Sequence, residues 1–174
     1  PFLHQFSVGL HPRLIRERER TPYNGRFGKM AASLMAMLGA VRNPPVFPVE
    51  IAVDGVERRR MERASSVIVS NNRYGAAPYA ERLDGGELVV YLTHRRGMEG
   101  GLRLVADLLL GSWRANPHVE EHAARHVRLV FPRLASAAQA SIDGELVKLA
   151  TEVDLRIHPG ELRVIVPVEA GGSA

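Results

Sequence analysis

Asp-Gly pairs recur along this chain between runs in which apolar and polar residues alternate. They lie at Asp54-Gly55, Asp84-Gly85 and Asp143-Gly144. Alternation with a period of two is typical of half-buried strands, and Asp-Gly is typical of tight hairpins because glycine tolerates a positive φ angle. The pattern therefore predicts a mainly β protein whose antiparallel strands follow one another along the chain.

Helical patterns interrupt these strands without replacing them. The predicted strands cover residues 5–10, 49–53, 67–69, 88–92, 126–131, 138–142, 153–157 and 162–166. A further strand returns after Asp54-Gly55 and carries the arginine triplet 58–60. Apolar residues at three- and four-residue spacing predict helices over 26–41 and 97–113, and a brief helix opens at Pro12 and runs to residue 20. Because strands mostly follow strands, we expect no parallel βαβ winding. The predicted fold is α+β: an antiparallel β-sandwich, mainly β, with helical insertions.

A chain of 174 residues is most simply one domain with a single sizeable core. We expect residues 1–168 to form that domain and residues 169–174 to be a flexible tail. The first residues already have a strand pattern and no initiator methionine precedes them, so we expect a fragment of a longer protein. The absence of cysteine excludes disulfides and thiolate catalysis and favours a cytoplasmic location. No apolar run approaches the ~20 residues that span a bilayer.

Arginine supplies nearly all of the positive charge, and the formal net charge is +4. The arginines cluster within residues 13–20, 58–63 and 95–96. Such clusters suit an anionic membrane surface or another phosphate-bearing partner. Glutamates alternate with arginines in the first cluster, which favours an ordinary solvated surface there. We expect peripheral attachment to anionic membranes and no nucleic-acid partner, and the sequence leaves the oligomeric state open.

Several catalytic signatures are missing from the sequence. It contains no G-x-x-x-x-G-K, no G-x-G-x-x-G and no G-x-S-x-G, which carry phosphate binding or nucleophilic serine chemistry elsewhere. His118 and His122 could share a helix face with Glu121 between them, but the order is not His-Glu-x-x-His and no third ligand is evident. We therefore expect no zinc site. Either the chain is not an enzyme, or its nucleotide site lies mostly elsewhere.

Five short motifs nevertheless occur in a specific order. They are Phe-Ser-Val-Gly-Leu at 6–10, Val-Ser-Asn-Asn-Arg-Tyr-Gly at 69–75, Leu-Asp-Gly-Gly-Glu-Leu at 83–88, Ile-Asp-Gly-Glu at 142–145, and Pro-Gly-Glu-Leu-Arg-Val at 159–164 followed by Pro167. Each is weak alone. In this order the chain resembles, over nearly its whole length, the C-terminal domain of the diacylglycerol kinase and sphingosine kinase-like lipid kinases, in particular the bacterial diacylglycerol kinase-related branch.

The resemblance implies the second, substrate-side domain of a two-domain ATP-dependent kinase that phosphorylates a lipid hydroxyl, such as that of diacylglycerol. The N-terminal nucleotide-binding domain with its glycine-rich loop is absent from this chain and would be its partner across the active-site cleft. By resemblance, Glu145 is the general base for the lipid hydroxyl. Asp143 would orient Mg²⁺ or water at the ATP phosphates, and Gly144 would let the turn present both acids.

The family also has a structural Mg²⁺ held by two backbone carbonyls and one aspartate. The matching positions are the carbonyls of Arg82 and Glu87 and the side chain of residue 85. That residue is Gly85 here, so we expect the metal to be weak or absent unless Asp84 shifts to supply the carboxylate.

Two other functions stay open. A non-catalytic lipid- or membrane-binding module could keep the same fold, although it would have no need for Asp143 and Glu145. A related kinase acting on a nicotinamide nucleotide is the other alternative. The lipid itself is not identified by the sequence.

Overall fold

The computed structural model describes residues 1–20, 39, 44–75, 84–94 and 97–163, without the side chains of 18–20, 57–60 and 98. In this part of the chain, nine antiparallel strands form one sheet. The strands are β1 Gln5–Gly9, β2 Phe47–Val53, β3 Val56–Asn71, β4 Leu88–His94, β5 Val119–Ala124, β6 His126–Val130, β7 Gln139–Ile142, β8 Glu145–Lys148 and β9 Glu152–Arg156. The helices whose bounds lie within the described residues are α1 Leu10–Arg20, α2 Met98–Leu110 and a 3₁₀ turn Trp113–Ala115.

The strand order is β8-β7-β1-β3-β2-β6-β9, and β4 branches off β3 and pairs with β5. The 16-residue strand β3 pairs with β2 along its first half and with β1 and β4 along its second. The β3–β4 register shifts between Ala64 and Ser66, the kind of irregularity through which a strand passes from one layer to another. Strands β8 and β9 stand at opposite ends of the order, yet only residues 149–151 join them. The sheet must therefore curl until its two edges approach each other.

Alternation along the strands fills the interior of the curled sheet. On β1 the residues Phe6 and Val8 face this core, and Val67 and Val69 on β3 pair with Val8 and Phe6 respectively. All four are at most 4% exposed. Full burial of such a side chain contributes about 1.5–3 kcal/mol relative to exposure, so this face holds the fold together.

The opposite face of β1 is polar and also buried. Gln5, Ser7, Ser70 and Ser141 are at most 7% exposed and lie on adjacent strands, with Gln5 paired to Ser70 and Ser7 paired to Ser141. Helix α1 packs against β1, β7 and β3, and Oγ of Ser7 lies 2.8 Å from Nδ1 of His11 on that helix. A buried polar group is costly unless it is hydrogen-bonded, and in this layer Gln5 and Ser7 have side-chain partners within hydrogen-bond distance.

An aromatic cluster continues this second face. The rings of Tyr74 and Tyr91 stack with centroids 5.0 Å apart, and Trp113 meets both edge-on. The Tyr74 hydroxyl donates to Oε1 of Gln5, and the Tyr74 backbone N–H donates to the Tyr91 hydroxyl at 2.8 Å. The pKa of Tyr74 is raised to about 12, chiefly by burial; a hydrogen bond to Ser70 opposes the shift and the nearby Tyr91 adds to it.

The mainly β, sandwich-like architecture with helical insertions is confirmed, and several local predictions are wrong. The acidic turn at 143–144 is followed at once by strand β8, whereas the sequence pattern predicted the next strand only at 153–157. The segment around His118 and His122 is strand β5 and not a helix. The strands predicted near 58–60 and at 67–69 are one continuous strand, and Leu162 and Arg163 are not in a strand.

Three further predictions concern segments that lie outside the described residues: the helix at 26–41, of which only residue 39 is described, the end of the last strand at 164–166, and the tail at 169–174. No helix among the described residues is long and apolar enough to cross a membrane.

Candidate functional site

The acidic turn connects β7 to β8 as a two-residue hairpin. Asp143 has a φ of +50° and Gly144 a φ of +94°, and Ile142 pairs directly with Glu145 across the turn. A Cβ built on Gly144 would meet no atom of the described residues within 4 Å. The outer side of the turn is therefore open to an approaching group, as the predicted nucleotide contact of Asp143 and Gly144 requires.

The carboxylate of Asp143 binds the backbone at the start of β1. Its Oδ2 accepts the N–H of Leu3 at 2.7 Å, and its Oδ1 accepts the N–H groups of His4 at 2.8 Å and Gln5 at 2.9 Å. Burial alone would raise the pKa of Asp143, but the three N–H donors outweigh it and hold the pKa below its ordinary value. Asp143 is thus an ionised group tied to the N-terminal segment.

Glu145 is the first residue of β8 and is exposed to solvent. It lies two residues after Asp143, on the same hairpin. A carboxylate that is open to solvent in this way is accessible to a hydroxyl and can act as a general base toward it.

Three of the motifs that carry the family resemblance meet at this end of the sandwich. The N–H of Asn71 donates to the carbonyl of His4 at 2.9 Å, and Nδ2 of Asn71 donates to the carbonyl of Leu3 at 3.0 Å. The N–H of Asn72 donates to the carbonyl of Glu87 at 2.9 Å. Hydrogen bonds therefore connect the acidic turn, the N-terminal segment, the Asn71-Asn72 loop and the loop before β4.

The loop before β4 does not fit the structural Mg²⁺ of the family. Gly85 occupies the position of the acid, and a Cβ built there would lie 2.8 Å from Oδ1 of Asn72, too close for a side chain unless Asn72 moves. The Glu87 carbonyl already accepts the N–H of Asn72. Asp84 is exposed, and Arg82 lies outside the described residues. Within those residues, no group of three or more His, Asp or Glu side chains could hold a metal ion.

Two histidines on neighbouring strands lie close to glutamates. Nε2 of His94 lies 2.8 Å from Glu120, and Nδ1 of the same ring lies 3.8 Å from Glu62. His122 lies 3.5 Å from Glu120. The sequence pattern missed this cluster because its members belong to three strands, β3, β4 and β5, whose register only the fold supplies.

An open cavity of about 880 Å³ lies beside the acidic turn, between β1, β7, β8 and β9. Apolar side chains line most of it, and charged residues of β8, β9 and the following turn also line it. The apolar lining includes Phe2, Phe6, Ile142, Val147, Leu149, Val153, Leu155, Ile157 and Leu162. Ile142, which pairs with Glu145, connects the cavity to the turn. Its volume falls within the ~300–1,000 Å³ typical of small-molecule sites.

The arginine clusters are only partly described. Nε of Arg13 lies 2.8 Å from Glu17 in the i,i+4 arrangement, which agrees with a solvated, ion-paired surface on α1. In the second cluster Arg63 is exposed, and the side chains of residues 58–60 are not among those described. Residues 95–96, the third cluster, also lie outside the described residues.

Comparison with solved structures shows the same fold in proteins about twice as long. Two structures of a candidate diacylglycerol kinase from Bacillus anthracis strain Sterne superpose with TM-scores of 0.60 and 0.54, at 20% and 17% sequence identity. A third, named a diacylglycerol kinase from the same organism, gives 0.55 at 18% identity. The matches cover 91%, 89% and 90% of this chain but 51%, 48% and 49% of those chains. The chain thus spans about half the length of these proteins.

A family model matches residues 16–166, which include the Asn71-Asn72 loop, the loop before β4 and the acidic turn. The matched residues are most of the chain, and the curled antiparallel sheet agrees with the family's architecture. The chain therefore belongs to the family of the YegS C-terminal NAD kinase beta sandwich-like domain.

Proposed function

We propose that residues 1–168 are the substrate-side domain of a two-domain, ATP-dependent lipid kinase. The observation that carries the proposal is the acidic turn, which presents Glu145 to solvent at the end of the sandwich where the N-terminal segment enters. The solved proteins of similar fold are about twice as long and are named diacylglycerol kinases or candidates for that activity. An N-terminal domain would complete the active site across a cleft from this turn.

In this reaction Glu145 would accept the proton of a lipid hydroxyl while the oxygen of that hydroxyl bonds to the terminal phosphorus of ATP, whose bond to the bridging oxygen breaks so that ADP leaves. Phosphoryl transfer needs positioning and charge neutralisation more than covalent help from the protein, so one correctly placed carboxylate is a sufficient contribution from this domain. ATP with Mg²⁺, when bound, supplies the transferred group and the neutralising charge. We place the nucleotide on the open outer side of Gly144. The loop of Gly85 and Glu87 takes no part in these steps.

A lipid fits the surroundings of the turn better than a nicotinamide nucleotide does. The cavity beside the turn is lined mostly by aliphatic and aromatic side chains, which suits an acyl chain and offers little to a polar nucleotide. The name of the matched family keeps a nicotinamide nucleotide kinase as the second candidate. A non-catalytic lipid-binding module would leave the exposed Glu145 without a role.

We further propose that the complete protein acts at the cytoplasmic face of an anionic membrane, attached peripherally in part through the arginines of residues 58–63. Each arginine near such a surface contributes about 1 kcal/mol, enough in sum for reversible attachment. Replacing Arg58, Arg59 and Arg60 with serine should weaken sedimentation with anionic vesicles, and high salt should do the same. Binding that neither change affects would remove the membrane role of this cluster.

The class of the enzyme is tested by offering several acceptors to the full-length protein. With radiolabelled ATP and Mg²⁺, we expect phosphate transfer to a lipid hydroxyl presented in mixed micelles and none to NAD. The isolated chain 1–174 should bind no ATP productively and transfer nothing. Transfer to NAD alone would select the second candidate, and ATP-dependent lipid phosphorylation by the isolated chain would contradict the two-domain assignment.

A further inference from the structure

The hydrogen bonding of Asp143 occurs a second time in the molecule, at a turn with no proposed chemistry. Asp54 and Gly55 join β2 to β3 with φ angles of +50° and +72°, close to those of Asp143 and Gly144. Oδ1 of Asp54 accepts the N–H groups of Arg125 and His126, both at 2.8 Å. Both turns therefore use an aspartate carboxylate to bind the backbone at the start of a neighbouring strand, β6 in one case and β1 in the other.

The two turns also make the same backbone hydrogen bond to the neighbouring strand. The N–H of Asp54 donates to the carbonyl of His126, and the N–H of Asp143 donates to the carbonyl of Gln5, each at 2.9 Å. Val53 pairs with Val56 across the first turn, as Ile142 pairs with Glu145 across the second. The residue after the Asp-Gly pair is thus the main chemical difference: an exposed valine at one turn and an exposed glutamate at the other.

This repetition bears on the role of Asp143. A carboxylate has about four acceptor positions, and the N–H groups of residues 3–5 occupy three of them. Mg²⁺ demands near-ideal octahedral geometry and would have to compete with these donors for the same oxygens. The Asp54 turn has the same bonding and no resemblance to a nucleotide site, so the bonding is explained by the fold alone.

We infer that Asp143 is a positioning residue that fixes the Glu145 hairpin to the entering segment 3–5, and that it does not ligate Mg²⁺ or the nucleotide. The inference rests on the proposed role of Glu145 as the base. In the proposed two-domain protein, segment 3–5 would follow the N-terminal domain along the chain. The carboxylate therefore sets the position of Glu145 relative to the part of the chain that leads to the bound ATP.

The test compares Asp143→Ala, Asp143→Asn and the matched control Asp54→Ala in the full-length protein. Amide hydrogen exchange of residues 3–5 and of residues 125–126 is measured together with kcat, KM for ATP and the Mg²⁺ concentration that gives half-maximal activity. We expect Asp143→Ala to speed exchange at residues 3–5 and to lower kcat by roughly 10–10²-fold, because a displacement near 1 Å can cost that much.

The matched variants separate positioning from general loss of stability. KM for ATP and the Mg²⁺ requirement should stay within about twofold in Asp143→Ala, since binding is not removed. Asp54→Ala should speed exchange at residues 125–126 and leave kcat within about twofold. Asp143→Asn keeps Oδ1 as an acceptor for the N–H groups of residues 4 and 5, so it should recover part of kcat and part of the exchange protection.

Two outcomes would overturn the inference. One is a rise of about tenfold or more in KM for ATP or in the Mg²⁺ requirement with unchanged exchange at residues 3–5, which would make Asp143 a ligand. The other is a fall of kcat in Asp54→Ala equal to that in Asp143→Ala, which would make the effect one of stability. If Glu145→Gln stays fully active while exchange at residues 3–5 still rises in Asp143→Ala, the proposed base is wrong and the backbone attachment alone is real.

Discussion

Replacing Tyr74 with phenylalanine removes one hydroxyl from the buried polar face and nothing else. Tyr74 is 2% exposed, and its hydroxyl donates to Oε1 of Gln5, which is 7% exposed. The phenylalanine ring can keep the stack on Tyr91 and the contact with Trp113, so no cavity opens. The substitution costs stability because the buried amide oxygen of Gln5 loses the hydroxyl that donates to it.

Loss of one partner from a buried hydrogen bond costs about 1–3 kcal/mol. For a chain of this size each kcal/mol lowers Tm by about 2–4 °C. Tyr74→Phe should therefore lower the free energy of unfolding by about 1–3 kcal/mol, measured by urea denaturation followed by circular dichroism, with an unchanged m-value.

A double-mutant cycle supplies the control. Gln5→Leu alone should destabilise the protein, while Gln5→Leu combined with Tyr74→Phe should cost less than the two single changes added together, because both polar partners are then gone. A cost below about 0.5 kcal/mol for Tyr74→Phe, or additive single costs, would refute the argument that this bond stabilises the polar layer.

Three further outcomes follow from the structure. Gly9→Ala should be strongly destabilising by thermal unfolding, since Gly9 has a φ of +92° and a Cβ there would clash with the carbonyl oxygen of Ser65; a normal Tm would contradict that close approach. Burial raises the pKa of Tyr74 to about 12 and also raises that of Tyr91. The stability that these two phenols contribute is therefore fully present below the pKa of ~10 in the unfolded chain and is lost as pH rises through their folded-state pKa values. Ultraviolet titration should show these two phenols ionising late, and loss of the late ionisation in Tyr74→Phe identifies the first. The lowered pKa of Asp143 adds stability above pH ~3.9 that is lost as pH falls through the folded value, so the difference in unfolding free energy between wild type and Asp143→Asn should shrink in acid; a difference independent of pH would exclude this linkage.

The sequence predicted the fold class because hairpin turns have a local signature. Asp54-Gly55 and Asp143-Gly144 are both turns with positive φ angles, as the Asp-Gly pattern indicates. Strand β8 was missed because Glu145–Lys148 is only four residues long and directly follows the turn, which leaves little alternation to detect. Strand β5 was missed because two histidines four apart suggested a helix, while the partner that makes it a strand is β4, far away in sequence.

The candidate site was predictable only in part. The acidic turn could be singled out from residues 142–145, but the attachment of Asp143 to the backbone of residues 3–5 could not, since about 140 residues separate the two. The buried polar face was also hidden. Gln5 and Ser7 have the composition of a solvent-exposed face, and only helix α1 and the aromatic cluster turn that face into an interior.

The central claim is that Glu145 is the base of a lipid kinase, and one substitution tests it most directly. Glu145→Gln keeps the shape of the side chain and removes its negative charge. In the full-length protein we expect kcat toward a lipid hydroxyl to fall by ~10²–10⁴-fold with little change in KM for ATP. Glu99→Gln, at an exposed glutamate in the first turn of α2 and away from the cavity, is the control and should stay near wild type. A Glu145→Gln variant whose kcat is near that of the wild type would contradict the account.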